Sequence, residues 1–337
     1  MNTQIFATMG PACGTENIIK DMIDVGMTGM RLNLSHTTLP DSKDYIEAYR
    51  NAAQKAGIKP QILIDMQGPE LRVGDLAKPW ELVPREKVVF GINAMNVPDI
   101  IVESLNEGDQ VLLDDGKILL EVVDQQPFRM MEKQVMARVL RGGTLHSHKS
   151  IKIVGKDVPM PVLTEHDIQN IKVAKDYGVT ALMQPFVRSG EDLRAVRNIL
   201  AEQDAVDVQI FAKIENRTGV ANMDSIIPEA DVIVIARGDL GNDMPLWELP
   251  KVQKEIKAAC KKYNKPYIVV TQMLASMEHN PVPTRAEVSD IFHAVYHGAW
   301  GVMVTGETAV GEYPVEVIKY LTNTAKSAFY TTSSMLK

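Results

Sequence analysis

Two carboxylates and a lysine are spaced so that they can form a metal and phosphate site. Lys213 and Glu215 lie two residues apart at the end of an apolar segment, and Asp239 follows the next apolar segment. Alternation along a strand would place Lys213 and Glu215 on one face. Two carboxylates with few other ligands suit Mg²⁺ or Mn²⁺, which keep positions open for phosphate oxygens. The alternative interpretation is a structural ion pair.

Similar residues follow other apolar segments. Arg31, Asn33 and Ser35 end one of them, in the sequence Arg-Leu-Asn-Leu-Ser-His. Arginine binds phosphate oxygens in two-point contacts, and the amide and hydroxyl oxygens can bind a cation or a ligand. Asp65 and Glu70 flank a Gly-Pro pair after the next segment. The alternative here is that the Gly-Pro pair starts a loop and that the charges are solvated.

Eight short apolar segments, rich in Val, Ile, Leu and Met, are typical of strands buried on both faces. They are Ile5–Met9, Thr28–Leu32, Gln61–Met66, Thr180–Phe186, Val208–Ile214, Asp231–Ala236, Tyr267–Thr271 and Gly301–Val304. Helical stretches separate them, including Thr164–Tyr177 and Val315–Phe329, and Thr164 and Ser189 are predicted N-caps. Eight β/α units predict an α/β fold of the TIM (β/α)8 barrel type, with an open doubly wound sheet as the alternative. In such barrels the loops after the strands form the active site.

The interval between the third and fourth predicted strands is too long for one β/α connection. It contains short segments with the alternation of antiparallel strands, at Val88–Ile92, Gln110–Leu113, Lys117–Val122, Lys133–Leu140 and Ser150–Val154. We therefore predict a barrel formed by residues 1–70 and 156–337, with a small β domain, residues 71–155, inserted after the third strand. Its point of insertion predicts that it acts as a lid.

Composition limits the class of protein. The chain has 337 residues, 45% hydrophobic and 23% charged, with a net charge of -7 and two cysteines. The composition is that of a globular protein, and the negative charge argues against nucleic acid as a partner. No secretion signal or membrane-spanning segment is recognised, so we expect a cytoplasmic protein without a membrane partner.

Taken together, the motifs resemble those of the pyruvate kinase family. They occur in the family's order and cover nearly the whole chain: Thr8–Ala12, Arg31–His36, Gly68–Glu70, Lys213–Asn216, Ala236–Gly241, Thr271–Leu274, Pro283–Glu287 and Gly306–Ala309. The resemblance implies a phosphotransferase that converts phosphoenolpyruvate and ADP to pyruvate and ATP. It also implies a barrel with a β lid inserted after the third strand.

The resemblance implies roles for the residues already singled out. Arg31 would contact the transferred phosphoryl group, and Lys213 would stabilise that group during transfer. Glu215 and Asp239 would bind Mg²⁺ or Mn²⁺. Thr305, where the family usually has a serine, would take part in the relay that protonates the enolate.

It further implies a monovalent cation, usually K⁺. The ligands would be Asn33, Ser35, Asp65 and the Met66 carbonyl, and Glu70 occupies a position associated with K⁺ dependence. The remaining implied contacts are to substrates. The backbone amides of Gly238 and Asp239 and the Thr271 hydroxyl would hold the substrate carboxylate, and Pro11, His36 and Lys149 would line the nucleotide site.

The chain departs from the family pattern in two respects. Family members usually continue into a C-terminal domain that binds allosteric effectors, whereas this sequence ends soon after the last barrel helix. We therefore expect no allosteric regulation and a monomer or homodimer, with a separate partner as a possible substitute for that domain. The lid and nucleotide motifs are also altered, so two alternatives stay open: a lyase or other enolate enzyme acting on a 2-oxo acid, and a non-catalytic ligand sensor.

Overall fold

The computed structural model describes residues 3–35, 37–91, 94–114, 116–124, 134–156, 158 and 160–335. Two compact units are present. The first comprises Met1–Gly68 and Val162–Lys337, and the second is Pro69–Pro161. The predicted insertion, residues 71–155, falls within the second unit. No helix in the described ranges is long and apolar enough to cross a membrane.

The described residues form fifteen strands. They are β1 (Gln4–Thr8), β2 (Gly29–Asn33), β3 (Ile62–Asp65), β4 (Trp80–Leu82), β5 (Lys87–Gly91), β6 (Gln110–Leu113), β7 (Ile118–Asp124), β8 (Gln134–Arg141), β9 (Gly143–Leu145), β10 (Ile151–Ile153), β11 (Ala181–Gln184), β12 (Gln209–Ile214), β13 (Val232–Ala236), β14 (Tyr267–Val270) and β15 (Gly301–Val304).

The α-helices in the same ranges are α1 (Glu16–Asp24), α2 (Lys43–Ala56), α3 (Asp99–Ser104), α4 (Glu165–Val173), α5 (Gly190–Glu202), α6 (Arg217–Ala221), α7 (Met223–Glu229), α8 (Arg237–Asp243), α9 (Leu249–Lys262), α10 (Arg285–Tyr296), α11 (Gly306–Ala309) and α12 (Pro314–Met335). Two 3₁₀ turns, Leu246–Glu248 and Ala275–Glu278, lie in the loops after β13 and β14.

The first unit is a closed barrel of eight parallel strands, in the order β1-β15-β14-β13-β12-β11-β3-β2. The barrel prediction and all eight of its predicted strands are confirmed, with ends that agree to within two residues. Most barrel-strand residues are buried because one face fills the interior and the other packs against the helices. The open-sheet alternative is wrong, since β1 pairs with both β2 and β15.

The barrel interior changes from aromatic to charged along its axis. Phe6, Phe211 and Trp300 contact one another with ring centroids 6.2–6.3 Å apart. Gly29 makes room for this cluster, because a Cβ there would lie 2.5 Å from the Phe6 ring. Since side chains alternate along a strand, the interior residues Phe6 and Phe211 are followed on the same face by polar residues nearer the carboxyl ends.

Capping agrees with the prediction at one helix and not at the other. The Thr164 hydroxyl accepts from the Asp167 amide, and the Asp167 side chain accepts from the Thr164 amide, so α4 begins with a capping box. Ser189 occupies the N-cap position of α5, but its side chain makes no cap hydrogen bond. The last helix is longer than predicted.

The second unit is built around its own apolar core. A five-stranded antiparallel sheet has the order β10-β6-β7-β8-β5, and a two-stranded sheet pairs β4 with β9. All five strands predicted in this region are present in the larger sheet; two of their predicted terminal residues, Ile92 and Lys133, lie outside the described residues. β4, β9 and α3 were not predicted, because they are too short for a hydrophobic pattern to be recognised.

Candidate active site

An arginine–carboxylate pair crosses the carboxyl ends of β2 and β3. Asp65 Oδ2 accepts hydrogen bonds from Arg31 Nη2 at 2.5 Å and from Arg31 Nε at 3.0 Å. Arg31 Nη1 donates to Thr8 Oγ1 at 2.9 Å, and that hydroxyl donates to the Val304 carbonyl at 2.9 Å. The Arg31 guanidinium is therefore held on two sides, with only 9% of the residue exposed.

Lys213 lies between two carboxylates. Its Nζ is 3.2 Å from Glu215 Oε2 and 3.7 Å from Asp65 Oδ1. Burial disfavours the ammonium ion, but the carboxylates of Asp65, Glu215 and Asp239 outweigh this effect and raise the pKa of Lys213. The lysine is thus held as a buried cation that faces the interior mouth of the barrel.

Glu215 is fully buried. Burial raises the pKa of this carboxyl group to about 7, and the neighbouring charge of Asp239 acts in the same direction, while Lys213 opposes both. Its Oε1 accepts the Phe186 amide at 2.7 Å. Phe186 has a left-handed backbone (φ 54°), so this contact orders an otherwise unfavourable turn after β11.

Two buried carboxylate oxygens are suited to a cation. Glu215 Oε2 and Asp65 Oδ1 have no hydrogen-bond partner among the described residues, although both face Lys213. Glu215 and Asp239 also repel each other, which a divalent ion between them would relieve. Within the described ranges no group of three or more Asp, Glu, His or Cys forms a metal-binding cluster. The two carboxylates fit an ion that keeps other ligands, as Mg²⁺ and Mn²⁺ do.

The loop after β14 has an unusual backbone that is held by α8. Thr271 and Gln272 have φ values of 68° and 54°, and this conformation is costly for a β-branched residue. Thr271 Oγ1 donates to the Val270 carbonyl at 2.6 Å and accepts the Gly238 amide at 3.0 Å. Arg237 Nη2 donates to the Thr271 carbonyl at 2.7 Å. Gly238 and Thr271, predicted separately, are therefore in direct contact.

A buried glutamate joins the loops after β14 and β15. Glu307 Oε2 accepts the Thr305 amide at 2.6 Å and the Thr305 hydroxyl at 3.1 Å. Glu307 Oε1 accepts the Leu274 amide at 3.2 Å. Thr305 was predicted from the sequence as a site residue and Glu307 was not, although Glu307 lies in the same Gly-Glu-Thr motif. Thr8 was missed in the same way, even though it ends a barrel strand.

Two of the predicted monovalent-cation ligands are adjacent to each other. Asn33 Oδ1 accepts the Ser35 hydroxyl at 3.0 Å and the Ser35 amide at 3.3 Å. Asp65 lies on the neighbouring strand, and its Oδ1 is one of the oxygens without a hydrogen bond. Met66, whose carbonyl was predicted to be a ligand, is 2% exposed and donates its amide to the Met183 carbonyl at 3.1 Å.

The remaining predicted site residues are not brought together by described contacts. Pro11 is exposed in the loop after β1. Lys149 and Glu70 belong to the second unit, where they pair with Asp114 at 2.9 Å and Arg72 at 2.7 Å. His36 lies outside the described residues.

We expect that changing Thr8 to valine destabilises the protein by about 1–3 kcal/mol, because it leaves buried Arg31 Nη1 without an acceptor. Urea unfolding measures this. Thr164→Val, which removes the cap of α4 and a 3.4 Å hydrogen bond to Gln67, should cost about 1 kcal/mol. A Thr8→Val protein as stable as the unchanged chain would show that this contact is not important for the fold.

Comparison with known proteins gives a consistent result. The family model described as pyruvate kinase, barrel domain, matches residues 1–318. The pyruvate kinase of Bacillus licheniformis is 37% identical over 332 residues, covering 96% of this chain and 56% of that protein. The pyruvate kinase of Geobacillus stearothermophilus is 38% identical over 328 residues, covering 94% and 55%. That of Aeropyrum pernix is 36% identical over 329 residues, covering 97% and 70%. The chain spans about half the length of the first two of these relatives.

Proposed function

Because the chain belongs to the pyruvate kinase family, we propose that it transfers the phosphoryl group of phosphoenolpyruvate to ADP, giving pyruvate and ATP. The observation that carries this proposal is the charge cluster formed by Arg31, Asp65, Lys213 and Glu215 at the barrel mouth. Removing these four charged groups from water costs free energy, whereas apolar residues in the same positions would not carry this cost. A role in function explains why the charged groups are present. Phosphoryl transfer supplies one, since it relies on positioning and charge stabilisation.

Two cations of the chain would act on the phosphoryl group. Lys213 Nζ lies beside two carboxylates, yet an ammonium has three donors and can also contact phosphate oxygens. The Arg31 guanidinium is fixed by Asp65 and Thr8 before any substrate binds. Because these groups need no reorganisation, they would stabilise the charge that develops during transfer.

Ions would complete the charge balance. Glu215 and Asp239 would hold Mg²⁺ or Mn²⁺, which neutralises phosphate charge and orients the transferred group. Asn33, Ser35, Asp65 and the Met66 carbonyl would hold K⁺. The Glu215 and Asp65 oxygens without hydrogen bonds support both assignments.

The substrate carboxylate would bind where α8 begins. The amides of Gly238 and Asp239 lie in the first turn of that helix, so they are free of the helical hydrogen-bond ladder. The Gly238 amide donates to Thr271 Oγ1 in the structure. A substrate carboxylate that accepts a hydrogen bond from this amide would also accept one from the Thr271 hydroxyl. The left-handed conformation of Thr271 places this hydroxyl next to the amide.

Protonation of the enolate would involve Thr305. Its hydroxyl donates to the buried carboxylate of Glu307, which also fixes the Thr305 amide. A hydroxyl held in this way can give its proton to the enolate and take one back from a water molecule on the substrate side. We propose that Glu307 sets the orientation of Thr305.

The direct test is the formation of pyruvate from phosphoenolpyruvate with ADP, Mg²⁺ and K⁺. Omission of ADP should abolish the reaction, because the phosphoryl group needs its acceptor. Pyruvate formation without ADP would favour a lyase or another enolate enzyme. Ligand binding without any turnover would favour the sensor alternative.

We also expect the activity to rise strongly with K⁺ and little with Na⁺, because the proposed ligand oxygens of Asn33, Ser35 and Asp65 form a site for a weakly hydrated ion. The initial rate is measured as a function of each salt at constant ionic strength. Ser35→Ala should raise the K⁺ concentration needed for half-maximal rate, whereas Ser189→Ala, which removes a hydroxyl without a capping role, should not. Equal rates in K⁺-free buffer would refute the monovalent site.

A further inference from the structure

A basic cavity opens at the end of the barrel opposite the candidate active site. It has a volume of about 1100 Å³ and lies where β14 and β15 begin, between α9 and the end of α10. Its wall includes Lys254, Lys257, Lys261 and His297, together with the aromatic residue Trp300. No Asp or Glu occurs among the described residues that line it. This concentration of positive charge is notable in a chain with a net charge of -7.

The lysines of the cavity differ from several other lysines of the surface in their ion pairing. Within the described residues, Lys254, Lys257 and Lys261 form no salt bridge. Elsewhere the pairing of lysines with acids is common, as in Lys20–Asp24, Lys55–Glu16, Lys175–Asp204 and Lys262–Asp224. The spacing 254, 257 and 261 places the three ammonium groups on one face of α9. Repulsion among them is therefore compensated only in part, by Asp290 near Lys257.

Helix ends explain only part of this charge. Lys265 Nζ donates to the Ala230 and Pro228 carbonyls, and Lys261 lies in the last turn of α9, where cations are favourable. Lys254 and Lys257 lie further inside the helix, away from the unpaired carbonyl groups of its last turn. They are consequently the charges that call for another explanation.

The carboxyl end of α10 adds two histidines to the same region, His293 in the last turn and His297 at the C-cap. His293 and His297 stack with their rings 5.9 Å apart. Burial lowers the pKa of His297, and the charges of Lys257, His293 and Lys254 lower it further. Burial and Lys254 likewise lower the pKa of Lys257, which Asp290 only partly opposes. An anion in the cavity would relieve the repulsion at both helices.

We propose that this cavity binds a small, multiply charged phosphate compound, through Lys254, Lys257 and His297. Several cations around one concave space match a ligand with more than one negative charge, and the concave shape favours a small molecule over a flat polymer. Trp300 connects the site to the barrel, because its ring also packs against Phe6 and Phe211 in the interior. The site is separate from the proposed phosphoryl-transfer centre.

Pyrophosphate is a suitable probe, used with the full chain in metal-free buffer that contains KCl. The His297 imidazole NMR resonance, assigned with His297→Gln, reports on the cavity and is distinguished from histidines near the barrel mouth. We expect a saturable shift of the His297 resonance. Lys254→Gln with Lys257→Gln should weaken the affinity about tenfold or more. Lys251→Gln is the matched control, since it removes the same charge from α9 outside the cavity and should have little effect.

Several results would overturn the proposal. One is the absence of a saturable shift of the His297 resonance at about 10 mM pyrophosphate, a concentration that would saturate a site with a Kd of about 1 mM. Another is an unchanged affinity in the double variant, with folding checked by circular dichroism. Should that variant fold poorly, Lys254→Gln alone, at an exposed position, must still weaken binding. Citrate binding as tight as that of pyrophosphate would show that the site does not select phosphate compounds. Binding of RNA to this cavity without any binding of pyrophosphate would show that the ligand is not a small molecule.

Discussion

Changing Lys213 to methionine is expected to lower kcat by about a thousandfold or more, while the barrel stays folded. The ammonium ion is needed chiefly in the transition state, where it would offset the charge of the phosphoryl group in transfer. Methionine fills a similar volume but leaves Asp65 and Glu215 without their shared cation. Steady-state kinetics with phosphoenolpyruvate and ADP measure the effect, and the KM for phosphoenolpyruvate should change far less than kcat.

Two variants make this result interpretable. Lys319→Met removes an exposed lysine of α12 and should leave kcat unchanged. Lys213→Arg keeps the charge but alters its geometry, so it should recover only part of the lost rate. If Lys213→Met kept most of its turnover, Lys213 would be a structural partner of the carboxylates and not a catalytic group.

Glu215→Gln and Asp239→Asn should each weaken Mn²⁺ binding by about 10- to 100-fold. Each change removes one of the two carboxylates that would hold the ion and keeps the size of the side chain. Glu215→Gln keeps a side-chain oxygen that can accept the Phe186 amide, so the metal-free protein should stay folded. Titration of Mn²⁺ followed by electron paramagnetic resonance measures the affinity directly, without reference to turnover.

Glu255→Gln, on the exposed side of α9, is the matched control and should bind Mn²⁺ as the unchanged chain does. Unchanged affinity in both Glu215→Gln and Asp239→Asn would remove the proposed divalent site. A loss in only one of them would show that the ion is held by that carboxylate together with groups other than its proposed partner.

The sequence by itself determined the barrel and the strands that carry most of the site. Short segments of Val, Ile, Leu and Met can be buried on both faces only in a sheet covered by helices, so their number and spacing were sufficient. Alternation placed Lys213 and Glu215 on one face, and the structure shows Phe211 on that same interior face. These features depend on local periodicity, which is readable without the fold.

Only the tertiary structure decided which charged side chains pair with one another. Asp65 was predicted only as a ligand of a monovalent cation, and the structure adds its contacts with Arg31 and Lys213. Thr8 on β1 links two neighbouring strands, because it accepts from Arg31 on β2 and donates to the Val304 carbonyl on β15. Such contacts join residues up to 296 positions apart, so no local pattern encodes them.

The backbone after β14 was likewise decided by tertiary contacts. A threonine would not be expected at φ 68°, since a β-branched side chain disfavours that region. Arg237 and the Gly238 amide hold Thr271 there, and both come from the helix that follows the neighbouring strand. Local propensity predicts the lowest-energy conformation of a segment alone, but here hydrogen bonds from a distant segment outweigh it.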